Sequence, residues 1–526
     1  MFSGKLNMKL ETGAAYMEIN MKIKLCSGIL MAAALMPACA SAAVYQSDSD
    51  TGVEILDYIE NNRRIARENA LTDEQKQLVK DTDAMKAHLS EPLDPAKGMP
   101  VAVEGDDLSY DQHTGAVYAK GKVRITALDQ RRFTTEEADG NLKTHDVDIE
   151  DKSHMLQLTP GQQRITLDGY KTHYNYERQS GQMEDAKGKV DHQYITAKRI
   201  EFYPDEVILY DGTATKCAAK KPDYHISARK IEIHKSTNMM IMHDVKYWLG
   251  GTVIYQEKYS EQDMSKDNSK WWPAAGYNND DGFWISQQFT HRLAKNAQAT
   301  LDMRYMTKQG FKNVASIDWA NGRNAYSLKY GYFEDSNSHW IKKEPTFTYT
   351  YGNRIGKLPY AYTLNYENGR WYQDGKTSNH TYYNITIGRD PIKFHNWYLF
   401  LSTGYSITKE SYDHSTSTGF SYDGTLLKNF NDRWAGFLGY HYTHNNSQNS
   451  LFNFNVDDYS RKLEVGFSYR FSDKDRLVAG WNYDMTGKQL KDVDYYWYHD
   501  IHCAQLVVRY RDKRQQWGAS VQFIPW

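Results

Sequence analysis

The chain has 526 residues, enough for two or three domains, and its 64 basic and 66 acidic residues give a net charge of −2. This balance provides no basic footprint for nucleic acid, so no nucleic-acid partner is expected. The mean hydropathy is −0.75, and no apolar run of about eighteen residues follows the N-terminal region, which excludes helical membrane spans there. These figures are compatible with a membrane β-barrel, because barrel strands alternate apolar and polar side chains.

The N-terminal region, residues 1–42, is predicted to be a secretory signal peptide. Translation is expected to start at Met21. The segment that follows is first basic, then apolar over Leu25–Met36, and ends in the small-residue cleavage pattern Ala40–Ala42. A lipoprotein acylated at Cys39 is a less favoured alternative. The mature chain is therefore expected to be exported.

Residues 43–97 are predicted to form a helical tether and linker. The segment Glu54–Ile59 has helical spacing, and so do the apolar positions between Leu71 and Leu89. The sequence Thr72–Gln75 has the form of a capping box that starts the second helix. Two short helices are expected, and the sequence does not reveal their role.

Residues 98–262 are predicted to form stacked β-rungs, because a unit of strand, turn and strand recurs. The segment Ile195–Phe202 is similar to Ile226–Ile233, about thirty residues later along the chain. The apolar side chains of these rungs fill a core or line an open trough that carries an acyl chain, and the sequence does not separate these alternatives. The trough candidates are Ile165, Leu167, Ile195, Ile200, Phe202, Leu209, Ile226, Ile231, Ile233 and Ile241.

Residues 263–526 are predicted to form a transmembrane antiparallel β-barrel. Segments such as Ala299–Tyr305 and Leu463–Tyr469 alternate apolar and polar side chains between polar turns, which is typical of barrel strands. Aromatic residues make up 14% of the chain and gather in this half, as interfacial girdles require. The length accommodates about 14 to 16 strands at roughly ten membrane residues each. A soluble β-sandwich is the less favoured alternative, and the fold class is all-β in either case.

Two cysteines, Cys217 and Cys503, lie in the predicted mature chain. A single pair in an oxidising compartment favours a disulfide bond. Two separate free thiols remain the alternative, since spacing along the chain does not establish proximity.

The sequence lacks the common hydrolase, P-loop and zinc-protease motifs, so no catalytic residue, cofactor or metal is expected. The segment His499–Cys503 groups potential metal ligands, but its spacing suits a helix and it lies among predicted strands. The segment His441–His444 is interpreted as a solvated loop edge. A barrel enzyme is the least favoured functional class.

A family resemblance adds to this interpretation. Between about Val101 and Arg323 the chain resembles the OstA family of lipopolysaccharide-transport proteins and, within it, the LPS-assembly (LptD) family, as an unusually short member with a reduced barrel. The segments that carry the resemblance to the jellyroll, to its junction with the barrel and to the first barrel hairpins are Tyr210–Cys217, Pro222–Ile231, Val245–Tyr255, Pro273–Phe283 and Arg304–Phe311.

The resemblance implies a translocon in the cell outer membrane whose N-terminal β-jellyroll lies in the periplasm. The jellyroll is expected to receive lipopolysaccharide from a periplasmic LptA-like bridge, and the barrel to insert it among the outer-membrane lipids through a lateral opening. The lateral opening is expected at the seam, where the first and last strands of the barrel meet. Pro273 and Pro525 lie near these two strands and are expected to weaken the seam, unless they merely end strands. In the family, a cysteine of the jellyroll pairs with one close to the last strands of the barrel. Cys217 and Cys503 occupy matching positions, so the resemblance implies that they pair. An LptE-like lipoprotein plug is less expected in so small a barrel.

A porin-like outer-membrane channel with a periplasmic scaffold domain is the alternative function. It predicts ion conductance and no defect in lipopolysaccharide transport when the protein is depleted.

Overall fold

The computed structural model describes residues 52–68, 70–89, 100–128, 131–158, 164–191, 193–219, 221–234, 236–237, 239–263, 272–294, 296–335, 339–444, 452, 454 and 460–523. The predicted signal peptide and the predicted linker prolines Pro92 and Pro95 lie outside these ranges. The chain forms two compact units. One contains the described residues up to Arg63 and those from 272 to 523, and the other contains the described residues between Arg64 and Asn268. Neither helix in the described ranges has the length and the apolar run that a membrane-spanning helix needs.

The two helices that the spacing predicts are confirmed as α1 (Glu54–Glu68) and α2 (Asp73–Ala87). Thr72 is the N-cap of α2. Its hydroxyl accepts a hydrogen bond from the amide of Gln75 at 3.2 Å, and the side chain of Gln75 accepts one from the amide of Thr72 at 3.1 Å. The predicted capping box is therefore confirmed.

Helix α2 belongs to the second unit and packs on its β-sheet. Leu78 is fully buried and contacts Leu156 and Leu158. The hydroxyl of Thr82 donates to the carbonyl of Leu78 at 2.8 Å, which satisfies a polar group in this apolar contact. Burial of Leu78 stabilises the contact by roughly 1.5–3 kcal/mol.

The second unit contains one thirteen-stranded antiparallel sheet in which most consecutive strands are neighbours. The order is β1-β3-β4-β5-β7-β8-β9-β10-β11-β12-β13, with β2 paired to β3 and β6 paired to β4 and β7. The strands are β1 (Val101–Glu104), β2 (Asp107–Tyr110), β3 (Ala116–Ala127), β4 (Arg131–Asn141), β5 (Asp146–Ile149), β6 (Ser153–Gln157), β7 (Ile165–Asn175), β8 (Ser180–Val190), β9 (Gln193–Phe202), β10 (Glu206–Thr215), β11 (Tyr224–His234), β12 (Met239–Leu249) and β13 (Thr252–Asp263).

Strands of this sheet bend at residues with a left-handed backbone conformation. Lys171 in β7, Asp185 in β8, Asp211 in β10 and Asp244 in β12 have φ values between 46° and 54°. Aspartate tolerates this conformation better than most residues, because its short side chain bonds locally. A left-handed residue in the middle of a strand bends it, so successive rungs turn at comparable positions.

One face of the bent sheet is apolar and buried, as the predicted rungs require. The repeated segments Ile195–Phe202 and Ile226–Ile233 lie in β9 and β11, and both strands pair with β10. Buried side chains along this face include Phe133, Met155, Leu167, Tyr174, Met183, Ile200, Leu209, Ile231 and Met242.

The first unit contains a closed antiparallel barrel of sixteen strands, which confirms the predicted 14 to 16 strands and the all-β class. Two short strands, β17 and β23, lie beside the ladders that close the wall. The strands are β14 (Ala274–Asn278), β15 (Gly282–Ala294), β16 (Ala297–Met306), β17 (Gly310–Phe311), β18 (Val314–Asn321), β19 (Asn324–Glu334), β20 (Trp340–Arg354), β21 (Tyr360–Gln373), β22 (Lys376–Arg389), β23 (Ile392–Phe394), β24 (Trp397–Glu410), β25 (Thr416–Asn429), β26 (Trp434–Thr443), β27 (Arg461–Arg470), β28 (Asp475–Asp484), β29 (Gln489–Ile501), β30 (Ala504–Arg511) and β31 (Gln516–Phe523).

Side chains of the barrel alternate between a buried inner face and an exposed outer face. In β28, Arg476, Val478 and Asn482 are buried, whereas Leu477 and Tyr483 are exposed. Charged and polar groups are therefore concentrated on the lumen side, and apolar groups cover the outer face, which is the pattern of a membrane barrel. Because strands alternate in direction, the β25–β26, β27–β28 and β29–β30 turns lie at the end where β14 begins, here called the proximal end.

Candidate functional site

Nine of the ten trough candidates lie on the buried face of the thirteen-stranded sheet. Ile241 is half-buried and alternates with Met240 and Met242, whose side chains are buried. It therefore lies on the opposite face of the sheet. The nine buried candidates are Ile165, Leu167, Ile195, Ile200, Phe202, Leu209, Ile226, Ile231 and Ile233.

The sheet has an apolar cavity of about 200 Å³ near its first strands. Val101 and Val103 of β1 line it, together with Val117 and Ile125 of β3 and Val147 of β5. In the described residues β1 pairs only with β3, so the cavity lies beside an edge of the sheet. Val101, Val103 and Val147 were not among the trough candidates, because β1 and β5 have only four residues each and show little periodicity.

Polar groups join the buried apolar side chains on the last two strands of the sheet. The hydroxyl of Tyr247 donates to Glu257 at 2.8 Å and lies 3.1 Å from the hydroxyl of Ser260. Burial raises the pKa of Tyr247 well above its usual range, so the phenol stays protonated and can donate. The buried apolar face therefore ends in a hydrogen-bonded polar group.

The seam that closes the barrel is short. Strand β14 pairs with β31 over four residue pairs, from Ala275 opposite Val521 to Asn278 opposite Gly518. A Cβ atom on Gly276 would lie 2.5 Å from the carbonyl oxygen of Ala519 on β31, so only glycine fits this contact. Of the two proline seam candidates, Pro273 directly precedes β14, and Pro525 lies outside the described residues.

The lumen side of the barrel carries ion pairs that are shielded from water. Arg304 is 1% exposed, donates to Asp281 at 2.6 Å and lies 3.4 Å from Glu334. Arg511 is fully buried and lies 3.4 Å from Asp494. Side chains that line a water-filled channel would be solvated, so these parts of the lumen are packed rather than open.

Cys217 and Cys503 are both disulfide-bonded, and the described part of the chain contains no free cysteine. The predicted disulfide is thereby confirmed over the alternative of free thiols. Cys217 follows β10 and Cys503 lies in the β29–β30 turn; both are buried.

The histidine segments have structural contacts. His499 lies in β29 with its Nδ1 2.7 Å from Asp475, and the disulfide removes the Cys503 thiolate as a metal ligand. His444 is exposed after β26, as predicted, but the solvated-loop interpretation is wrong for His441. That residue lies within β26, 2.8 Å from both Asp423 and Glu464, because its side chain faces the polar lumen.

No protein-family model matches the chain. The chain is similar to curated LPS-assembly proteins LptD. It is 24% identical to that of Mannheimia succiniciproducens over 237 residues, covering 43% of this chain and 29% of the relative. It is 24% identical to that of Photobacterium profundum over 259 residues, covering 47% and 32%. The match therefore spans about a third of the length of these relatives, and the resemblance predicted from the sequence is confirmed.

Solved barrels are also similar to part of the chain. A mutant porin of Rh. blastica has a TM-score of 0.29 and 11% identity, and covers 48% of this chain and 97% of its own. CdiB from Escherichia coli has a TM-score of 0.34 and 9% identity, and covers 48% and 62%.

Proposed function

We propose, from the similarity of the chain to about a third of the length of curated LPS-assembly proteins LptD, that it delivers lipopolysaccharide to the outer leaflet of the outer membrane. One observation carries the proposal. A single chain joins a sheet with a buried apolar face to a closed sixteen-stranded barrel with an apolar exterior. The role is transport and assembly rather than catalysis.

The first step is loading of lipid at the edge of the sheet. The short strand β1 has one edge without a strand partner in the described ranges, and such an edge is a template for strand addition by another β-protein. The partner at this edge is a periplasmic LptA-like jellyroll protein. The cavity lined by Val101, Val103 and Ile125 lies beside this edge, where an arriving acyl chain would first find apolar surroundings.

The second step is passage of acyl chains along the buried face, with the second unit, Arg64–Asn268, in the periplasm. Ile200, Phe202, Leu209 and Ile231 have register partners on β9, β10 and β11 that form a continuous apolar row. If the packed face separates to admit an acyl chain, contacts between side chains are replaced by contacts with lipid. Apolar surface stays away from water during this exchange, which lowers the free-energy cost of separating the face.

The third step is release through the seam between β14 and β31. Four residue pairs hold these strands together, and Pro273 limits extension of the ladder because proline lacks an amide proton. Lipid would leave sideways through this seam, while the glycan stays in contact with the polar lumen.

Photo-crosslinking in cells tests the proposed path. Crosslinkers at Ile200 and Ile231 face inward and are expected to capture lipopolysaccharide, whereas Lys198, exposed on the same strand as Ile200, provides the matched control. Absence of lipopolysaccharide adducts at both inward positions, in protein that is correctly inserted, would refute passage along this face.

A porin-like channel remains the second candidate, because the barrel is closed and has sixteen strands. Buried charges on the lumen side, such as Arg304 and Arg511, weigh against a permanently open channel. The two functions differ in the expected effect of depleting the protein. Only the transport function predicts that newly made lipopolysaccharide then stalls in the periplasm.

A further inference from the structure

The first half of α1 lies inside the barrel and belongs to the same compact unit. Its apolar residues Ile55, Leu56 and Ile59, and Val53 directly before it, are each no more than 5% exposed. They pack against side chains that face the lumen from five strands between β24 and β29. These wall residues are Tyr398, Phe400, Leu427, Ala435, Phe437, Val478, Tyr496 and Tyr498.

Acidic residues on the helix match basic residues on the wall. Glu60 forms an ion pair with Arg470 at 2.8 Å, and both side chains are less than a tenth exposed. Asp57 pairs with Arg476 and also accepts a hydrogen bond from the hydroxyl of Tyr498 at 2.9 Å. Asp57 and Glu60 are three residues apart and share one helical face, so the helix and the wall are complementary in both charge and shape.

The direction of the helix in the barrel follows from its two ends. Arg63 donates to the carbonyl of Trp434 at 3.0 Å and to the side chain of Asn429 at 3.3 Å, at the β25–β26 turn of the proximal end. Gly52 lies farther in, where a Cβ atom would be 2.5 Å from Glu464 and 3.3 Å from Phe437. The helix therefore has its N-terminal end within the lumen and reaches the proximal rim at Arg63.

We propose that α1 is a plug supplied by the chain itself, and that the wall formed by β24–β29 is a docking site for this amphipathic acidic helix. The helix closes the barrel to ions and fills the position that a separate lumenal subunit would need. This inference goes beyond lipid delivery, because the contacts between helix and wall are the same whatever the barrel carries.

Ion conductance of the full-length protein in planar lipid bilayers tests the plug. The native chain is expected to be silent, and Glu60→Arg and Arg470→Glu are each expected to produce conductance steps, because like charges then face each other in a buried position. The Glu60→Arg/Arg470→Glu double variant restores opposite charges and is expected to return to silence. Glu60→Arg changes only the helix, so it leaves the residues of the barrel wall intact.

Two controls make the test decisive. Lys488→Glu makes a comparable charge change in an exposed turn of the barrel and is expected to stay silent. A peptide with the sequence of residues 52–68, added to open Glu60→Arg channels, is expected to block them. A native chain that conducts, a folded Glu60→Arg variant that stays silent, or a double variant as open as the single ones would each overturn the proposal. None of these outcomes depends on whether lipopolysaccharide is transported.

Discussion

The seam between β14 and β31 can be locked with an engineered disulfide. Ala275 and Val521 are register partners across the seam, and Val521 is exposed on the outside of the barrel. Opposite residues of an antiparallel pair are about 4.5–5.5 Å apart at Cα, within the range that a disulfide spans. The Ala275→Cys/Val521→Cys variant is therefore expected to close the seam covalently and to stop delivery of lipopolysaccharide to the cell surface.

The length of the seam sets the expected magnitude. Four residue pairs join β14 to β31, whereas thirteen pairs join β24 to β25. At about 0.5–1.5 kcal/mol for each backbone hydrogen bond, and about one bond per pair, the seam contributes roughly 2–6 kcal/mol and the longer ladder roughly 6–20 kcal/mol. Since each 1.4 kcal/mol is a factor of about ten, an open seam is accessible by thermal fluctuation and an open β24–β25 ladder is not.

The assay follows newly made, labelled lipopolysaccharide to the cell surface, and mobility on non-reducing gels verifies that the crosslink has formed. The matched control is Leu301→Cys/Ala315→Cys, which joins outward-facing register partners on β16 and β18, away from the seam. Delivery is expected to stop only in the seam variant and to resume after reduction. Unchanged delivery in a fully crosslinked seam variant would show that lipid does not leave between β14 and β31.

Further substitutions test the disulfide, the helix contact and the buried face. Cys217→Ser and Cys503→Ser are each expected to abolish the mobility difference between reduced and non-reduced gels, and a difference that survives either change contradicts an intramolecular pair. Leu78→Ala is expected to reduce the free energy of unfolding of the second unit by about 2–5 kcal/mol in denaturant titrations, because it leaves a cavity under α2; a loss below about 1 kcal/mol contradicts this packing. Ile231→Ala is expected to cost about 2–5 kcal/mol in the same titration, and Ile241→Ala, on the opposite face, about 0.5 kcal/mol; equal costs would contradict the assigned faces.

The sequence predicted those features that depend on local periodicity. Alternation with period two predicted the barrel, because a strand with one apolar and one polar face has few other stable environments. The capping box at Thr72 predicted the start of α2 for a similar reason, since its hydrogen bonds join residues only three positions apart.

Features that depend on distant partners were not predictable in this way. Ile241 lies in the run Met239–Met242, where every residue is apolar, so alternation could not decide which face is buried. Helix α1 is amphipathic, but its pattern fits any complementary apolar surface. Its ion-pair partner Arg470 is more than four hundred residues from Glu60 along the chain, and no local signal joins the two.

Closure of the barrel brings the partners of α1 together. Once β14 pairs with β31, the inward positions of β24–β29 form a single concave wall, and Arg470 and Arg476 project from it. Two buried arginines require partners, and Asp57 and Glu60 on α1 supply them. The available signal in the sequence was the combination of arginines at inward positions of the barrel strands and a short amphipathic helix with acidic residues. This combination could have indicated the contact between α1 and the barrel.

Depletion of the protein tests the proposed function most directly, by following where newly made lipopolysaccharide accumulates. If the chain delivers lipopolysaccharide to the outer leaflet, the lipid stalls in the periplasm and its appearance at the cell surface falls as the protein is lost. If lipopolysaccharide reaches the surface normally in depleted cells, the chain is not a delivery component.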